Sequence, residues 1–247
     1  MIETKRNLIR LSQGQLNLLE TCPPKFQQIY LNKLNSLPNP ETEENQTWGS
    51  RFHLLMQQRE LGLPIESLLA KDQELDQSLQ ALLQAAPHIL DQSNNQWREA
   101  EHSRTINFGN YLLTVIYDLL VADDHQAQII DWKTYLKPQK KDKLAKNWQT
   151  RLYLYTLVET SEYLPEQISM TYWFVKLPNT PESHVFNYDS QQHQQIKEDL
   201  HSLLNKLDLY LEKSQDFSHH PNCETTCPYY RELIAQEDNS PVYLTID

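Results

Sequence analysis

Glycine is scarce in this chain. There are four in 247 residues and none clusters, so the closely spaced glycines of a P-loop or a dinucleotide-binding turn are missing. Cysteine is rarer still: Cys22, Cys223 and Cys227 are too few and too odd in number for a disulfide framework, which leaves them as spectators or ligands. No apolar run approaches the roughly 18–20 residues that a membrane helix requires. The opening "MIETKRNLIRLSQGQL" has neither the apolar stretch nor the small-residue cleavage site of a signal peptide. A cytoplasmic protein without membrane contact is the expectation. Excess positive charge is lacking too; the net charge of −11 argues at first against a nucleic-acid partner.

What is present changes that reading. A hydrophobic content of 39% with 10% aromatics suits a folded protein, long enough for one large domain or two small ones. The charge is also uneven. Residues 133–151 carry seven basic side chains (Lys133, Lys137, Lys140, Lys141, Lys143, Lys146 and Arg151) against one acid, Asp142. That segment is +6 and the rest of the chain −17. A basic island on an acidic protein can guide a polyanion to one place; an ordinary solvated helix face has the same composition.

Apolar periodicity predicts helices over about 13–34, 48–60 and 65–85, with the polar, Pro-containing "NSLPNPETEENQT" between the first two. Three strand-like runs follow, "WREAEHSRTI", "YLLTVIYDLLVA" and "AQIIDWKTYL". Gly109-Asn110 has the chemistry of a two-residue hairpin turn between the first two, and the polar "DDHQ" joins the second and third. A helix over about 142–160, strands "ISMTYWFVK" and "HVFNY", a helix near 190–213 and a short helix at 226–236 complete the order. This reads as one α/β domain spanning 1–247, with a mixed central sheet flanked by helices. Its parts are an N-terminal helical region (1–95), a sheet and helix (96–190), and a C-terminal helix with a Cys-containing tail (191–247). Trp48, Trp132, Trp148 and Trp173 belong to the core.

Hairpin arithmetic locates a cluster of acids. Directly opposed residues in an antiparallel pair have numbers with a constant sum. A turn centred on Gly109-Asn110 gives 219 and sets Glu101 opposite Asp118. A turn centred on Asp124-His125 gives 249 and sets Asp118 opposite Asp131. Three acids would then occupy one row, with Cβ atoms about 4.5–5.5 Å apart, flanked on that face by Ile116, Leu120 and Ile129. Like charges so placed are destabilising unless a cation joins them, and oxygen ligands of this kind suit Mg²⁺ or Mn²⁺. Lys133 lies one pleat beyond Asp131 on the same face. A one-residue slip in register would dissolve the row.

These residues resemble the PD-(D/E)XK nuclease superfamily. "VIYDLLVADDHQAQIIDWKT" is similar in particular to its RecB-type branch, in which an Asp precedes, by about a dozen residues, a (D/E)-x-K-(T/S) strand. Asp118, Asp131, Lys133 and Thr134 match; Ile116 stands where a small residue is usual. "LSQGQLNLLETCPPKF" resembles that branch's N-terminal S-x-S-x-L…C-P-x-x-F helix, with Gln13 and Gly14 departing. "WGSRFHLLMQ" resembles its G-x-x-x-H helix, which places His53 as a metal ligand. "QTRLYLYTL" resembles its Q-x-x-x-Y helix, through Gln149 and Tyr153. Taken singly, each match has a plain structural reading; five in order are specific.

The resemblance implies a restriction-endonuclease-like core and a metal-dependent deoxyribonuclease, an exonuclease or single-strand-acting enzyme of DNA repair, recombination or defence. By the same resemblance, Asp118, Asp131, His53 and the Trp132 backbone carbonyl would hold Mg²⁺ or Mn²⁺, and Lys133 would orient the attacking water or stabilise the transition state. Glu101 would make a supporting metal or water contact, and Gln149 and Tyr153 would hold the substrate phosphate or Lys133. Lys137, Lys140, Lys141 and Lys143 would contact the DNA backbone. Many relatives carry an iron–sulfur cluster between an N-terminal Cys and a C-terminal C-x-x-C-x5-C group. Here Cys22 and Cys227 match, but Glu224 and Leu233 occupy two ligand positions and Cys223 is displaced by one. The pattern reads as a degenerate cluster site; zinc held by Cys22, Cys223, Cys227 and a neighbouring His219 or His220 is the alternative. A catalytically silent DNA-binding or scaffold subunit of a repair or defence complex, working with a protein partner, is the competing function. A sequence-specific restriction-type endonuclease ranks below both.

Overall fold

The computed structural model describes residues 8–33, 40–87, 96–136, 138–176, 180–213, 217–221, 223–231 and 233–234. In chain order the elements are β1 (Ile9–Leu11), α1 (Gln13–Thr21), α2 (Pro23–Phe26), a π-helical turn (Gln27–Leu31), α3 (Pro40–Glu60), α4 (Glu66–Leu69), α5 (Gln73–Ala85), β2 (Trp97–Phe108) and β3 (Tyr111–Ala122). There follow β4 (Ala127–Lys133), α6 (Lys141–Lys146), α7 (Trp148–Glu159), β5 (Ile168–Phe174), β6 (Glu182–Asn187), α8 (Ser190–Lys213) and the helical turn α9 (Cys223–Thr226). The chain divides into two compact units. One comprises Met1–Gln13 and Leu37–Glu198, the other Gly14–Ser36 and Asp199–Asp247.

The first unit is built on a six-stranded mixed sheet in the order β1-β3-β4-β5-β6, with β2 on β3. The β1–β3 and β4–β5 pairs are parallel; the others are antiparallel. The expected meander β2-β3-β4 is present, and both constant sums hold. Phe108 pairs Tyr111 across Gly109-Asn110, and Ala122 pairs Ala127 across the second turn. Gly109 adopts φ +59°, a conformation that costs a glycine nothing. Asp123 shapes the second turn by accepting the backbone N–H groups of His125 and Gln126 on Oδ1.

β2 pairs with β3 from Trp97 to Phe108, Glu101 excepted, so β1 and β4 share the opposite edge of β3. β1 takes residues 111–113 and β4 takes 119–122. Residues 114–118 of that edge lie between the two ladders. A cleft opens there.

One face of the sheet carries Leu119, Val121, Ile130, Trp132, Trp173 and Val175 against Trp48, Phe52, Leu55 and Met56 of α3 and Leu75, Leu79 and Leu82 of α5. Burying each such large apolar side chain contributes about 1.5–3 kcal/mol. α7 packs against β2, β3 and β5, and Trp148, Leu152 and Leu157 are fully buried. All four expected core tryptophans are buried. The far end of α3 is fixed by Arg98 of β2, whose guanidinium donates two hydrogen bonds of 3.0 Å to the Glu60 carboxylate.

In the second unit, Phe217 stacks on Phe26 and Tyr210, at centroid distances of 6.3 and 4.4 Å. Leu16, Leu19, Leu203 and Leu207 are buried. Phe217 N–H donates to Gln27 Oε1 at 2.9 Å, joining the N-terminal helices to the segment after α8.

The expected helix 13–34 breaks at Cys22, which is extended (φ −153°, ψ 88°) because it precedes Pro23-Pro24. The expected helix 65–85 is interrupted at residues 70–72; Asp72 caps α5 by accepting Leu75 N–H at 3.1 Å. The expected helix 142–160 is split by Asn147, in extended conformation with its side chain capping α7. α3 begins eight residues earlier than expected. Of the last short helix expected at 226–236, residues 230–231 and 233–234 are helical, α9 ends where it was to begin, and residues 232 and 235–236 lie outside the described residues.

Candidate active site

The strictly alternating pleat does not survive through the acids. Tyr117 packs against Tyr153 of α7, with ring centroids 5.2 Å apart. Leu119, two residues on, lies in the core under α3 and α5. In a regular strand these two would share a face. Opposite, Glu101 has φ +53°, a left-handed conformation unusual for a residue with a side chain. Ladder pairs are formed on both sides with the sum 219 unchanged, while 101–118 makes none. The irregularity therefore preserves register but interrupts the alternation. In consequence Ile116 and Leu120 do not flank the acids on one face: Ile116 is exposed in the cleft, and Leu120 is buried beside Leu157 of α7.

The β3–β4 ladder ends at Leu119–Ile130. One step further, the Trp132 N–H donates to Asp118 Oδ2 at 2.7 Å instead of to a neighbouring carbonyl. Asp118 Oδ1 lies 3.3 Å from His53 Nδ1, carried on α3. Trp132 thus meets Asp118 through its N–H. Ligand atoms of His53, Glu101 and Asp118 all lie within 4.8 Å of one another, the one such group of His, Cys, Asp or Glu among the described residues.

Asp131 faces the same cleft but is engaged differently. It is 2% exposed, with Lys133 Nζ 2.7 Å from Oδ2. Gln149 of α7 donates from Nε2 to Asp131 Oδ1 at 2.5 Å and accepts from Lys133 Nζ on Oε1 at 2.7 Å. One amide thereby fixes acid and base together. Tyr153, one turn on, accepts a hydrogen bond from Gln13 Nε2 at 3.3 Å. Gln13 and the close approach at Gly49 were not legible as site features. A Cβ at Gly49 would lie 2.8 Å from Thr134 Oγ1, so the glycine lets α3 approach the end of β4.

The electrostatics follow from burial and crowding. Burial raises the Asp131 carboxyl above the usual range, and the Lys133 charge only partly offsets it. Glu101 is also raised, by burial and then by the Asp118 charge. For His53, burial disfavours the charged ring, but the hydrogen bond and charge of Asp118 outweigh it and raise its pKa. Lys133 behaves alike: burial opposes its charge and Asp131 overcomes that opposition. Asp131 Oδ2 is buried and accepts no hydrogen bond of good geometry, its contact with Lys133 being an ion pair. Two carboxylates and an imidazole beside a further under-satisfied carboxylate fit a divalent cation with oxygen and nitrogen donors.

The cleft holding these groups has a volume of about 720 Å³. Its lining includes Gln13, His53, Glu101, Asp118, Asp131, Lys133, Gln149 and Tyr153. Lys140, Lys141 and Lys143 are exposed around the start of α6 and are not among the lining residues; Lys141 Nζ sits 5.5 Å from the Phe186 ring. Lys137 lies outside the described residues. Cys22 and Cys223 are buried, Cys227 is half-buried, and all three are free thiols. Burial, with the neighbouring Cys227 and Cys223 thiols, pushes Cys22 up to about 12. His219 Nδ1 is 3.3 Å from Cys223 Sγ.

A family model described as the PD-(D/E)XK nuclease superfamily matches residues 10–231. No curated protein sequence matches. Among solved structures, the chain is similar to a "Putative exonuclease" from Eubacterium rectale, at 8% identity and a TM-score of 0.56, covering 100% of this chain and 94% of that one. This likeness concerns the fold. A second structure, of SSO0001, aligns over 98% of this chain and 89% of its own at 15% identity, with a TM-score of 0.36. Among the described residues, no helix is long and apolar enough to cross a membrane.

Proposed function

Since the chain belongs to the PD-(D/E)XK nuclease superfamily, we propose that it is a metal-dependent deoxyribonuclease working through the cleft of Asp118, Asp131 and Lys133. The observation that carries this reading is the gathering of His53, Glu101 and Asp118 within 4.8 Å, beside an Asp131–Lys133 pair locked by Gln149. Asp118, His53 and Glu101, with Asp131, would hold Mg²⁺ or Mn²⁺, the imidazole favouring Mn²⁺. When bound, such an ion lowers the pKa of water and offsets charge on phosphoryl oxygens.

The chain's own groups do the rest. Lys133 has three N–H donors; Gln149 Oε1 accepts one and the Asp131 carboxylate pairs with the ammonium as an ion, so donor capacity is left for a phosphoryl oxygen or the attacking water. Hydrolysis adds the water oxygen to phosphorus, breaks the bond to the leaving sugar oxygen and passes a proton of that water, by way of solvent, to the leaving oxygen. The Lys133 charge, kept by Asp131, opposes the negative charge that develops. Gln149 fixes the ammonium and carboxylate against rotation, so neither has to be ordered during the reaction. Lys140, Lys141 and Lys143 would contact flanking phosphates, with affinity falling steeply as salt rises.

Purified full-length protein incubated with end-labelled single- and double-stranded DNA, in Mn²⁺, in Mg²⁺ and in EDTA, tests this. Metal-dependent cleavage that Asp131→Asn reduces by on the order of 10²–10³-fold is the expected result. Cleavage of neither form, or undiminished cleavage by Asp131→Asn, overturns it. Salt-sensitive binding without cleavage would point to the silent scaffold instead.

A further inference from the structure

The cleft is not lined by polar groups alone. Leu54, Ile116 and Tyr135 line it together with the carboxylates, and they are 44%, 47% and 48% exposed. They come from α3, β3 and the segment after β4, so three separate elements each place a large apolar side chain in one acidic cleft. Lys133 Nζ lies 6.0 Å from the Tyr135 ring centroid, which sets the ring beside the ammonium placed at the scissile phosphate.

Deepening the reading above and resting on it, we propose that Tyr135, with Leu54 and Ile116, contacts unpaired nucleobases next to the phosphate being cleaved, and so selects strands without a paired complement at that point. A phosphodiester chain offers such side chains two partners, sugar edges and base faces. In a duplex the base faces are stacked and covered, and the outer surface is phosphate and sugar. An unpaired base presents an apolar face that an aromatic ring or a branched aliphatic chain can cover. A protein segment as occupant would have to bury Asp118, Glu101 and the Lys133 ammonium against itself, whereas a nucleic-acid strand brings a phosphate to those groups and its bases to the apolar ones. Tyr135 is therefore a specificity residue, and Leu54 and Ile116 form the opposing contact.

The test measures binding separately from hydrolysis. A fluorescently labelled oligothymidylate, the same chain with abasic tetrahydrofuran units in place of its central nucleosides, and a blunt duplex of equal length are titrated with the full chain in Ca²⁺, by anisotropy. The oligothymidylate is expected to bind roughly 5- to 150-fold more tightly than the abasic chain, and more tightly than the duplex. Tyr135→Ala should remove most of that difference, leaving affinity for the abasic chain unchanged. Ile116→Ser, also at an exposed position, should reduce it in part. Equal binding of normal and abasic strands, a duplex bound as well as the single strand, or a base-dependent difference that survives in both variants overturns the proposal. Adding Mn²⁺ to the same mixtures reads hydrolysis. Base-dependent binding without cleavage would defeat the nuclease reading and leave the base contact standing; cleavage without base-dependence would do the reverse.

Discussion

Glu101 is held in a conformation that its own backbone resists, and this makes opposite predictions for stability and activity. At φ +53° a residue with a Cβ is strained by roughly 1–2 kcal/mol, a cost that glycine escapes. Glycine in turn loses about 0.5–1 kcal/mol through its greater freedom in the unfolded chain. Glu101→Gly should therefore be more stable than Glu101→Ala by about 0.75 kcal/mol, the difference of the mid-range values. Both variants also lose the repulsion between Glu101 and Asp118 that helps raise the Glu101 carboxyl. Urea unfolding of the metal-free proteins, followed by tryptophan fluorescence and compared at equal m value, measures the difference. Both variants should bind Mn²⁺ more weakly than the wild type. An alanine variant as stable as the glycine variant would refute the strain argument, and with it the account of how the alternation of β2 and β3 is interrupted.

Three further outcomes are expected. Gln149→Leu frees the Asp131–Lys133 pair and should lower kcat on the order of 10²-fold, as displacements near 1 Å do, with little change in KM in steady-state cleavage assays. Gly49→Ala would set a Cβ 2.8 Å from Thr134 Oγ1 and should destabilise by about 1–3 kcal/mol; Thr134→Ala in the same chain should recover most of that in a double-mutant cycle of urea midpoints. The turn carboxylate Asp123 is held below its usual pKa by hydrogen bonds, His125 N–H foremost. Its contribution is thus complete above the unfolded pKa of about 4 and lost as the pH falls through the depressed folded value. The stability gap between wild type and Asp123→Ala should narrow over that acid range in unfolding curves taken from pH 7 downward, and a gap constant down to pH 2 would contradict it.

Most of the sheet was legible because its hairpins are short. The residues of the two turns fix the sums 219 and 249, and with them which residues meet. The site was legible where spacing within one element sets geometry, as for Asp131 with Lys133. It was not legible where two strands depart together from the pleat. A left-handed Glu101 leaves no mark in polarity or in register, so Ile116 was wrongly assigned to the face of Leu120 and Ile129. Helix ends failed for a different reason: apolar periodicity runs on through Cys22, residues 70–72 and Asn147, whereas Pro23-Pro24 and the caps Asp72 and Asn147 decide where the backbone breaks. The three-residue β1 is too short for any period to show. Gln13 acts across 140 positions of sequence on Tyr153, a pairing that only the tertiary fold creates.

The most direct test of the account is to collect anomalous diffraction from crystals of the full chain soaked in Mn²⁺. A peak in contact with the carboxylates of Asp118 and Glu101 and the imidazole of His53, lost in Asp118→Ala, is the predicted result. Ordered side chains with no peak among them, or a peak that persists in Asp118→Ala, would contradict it.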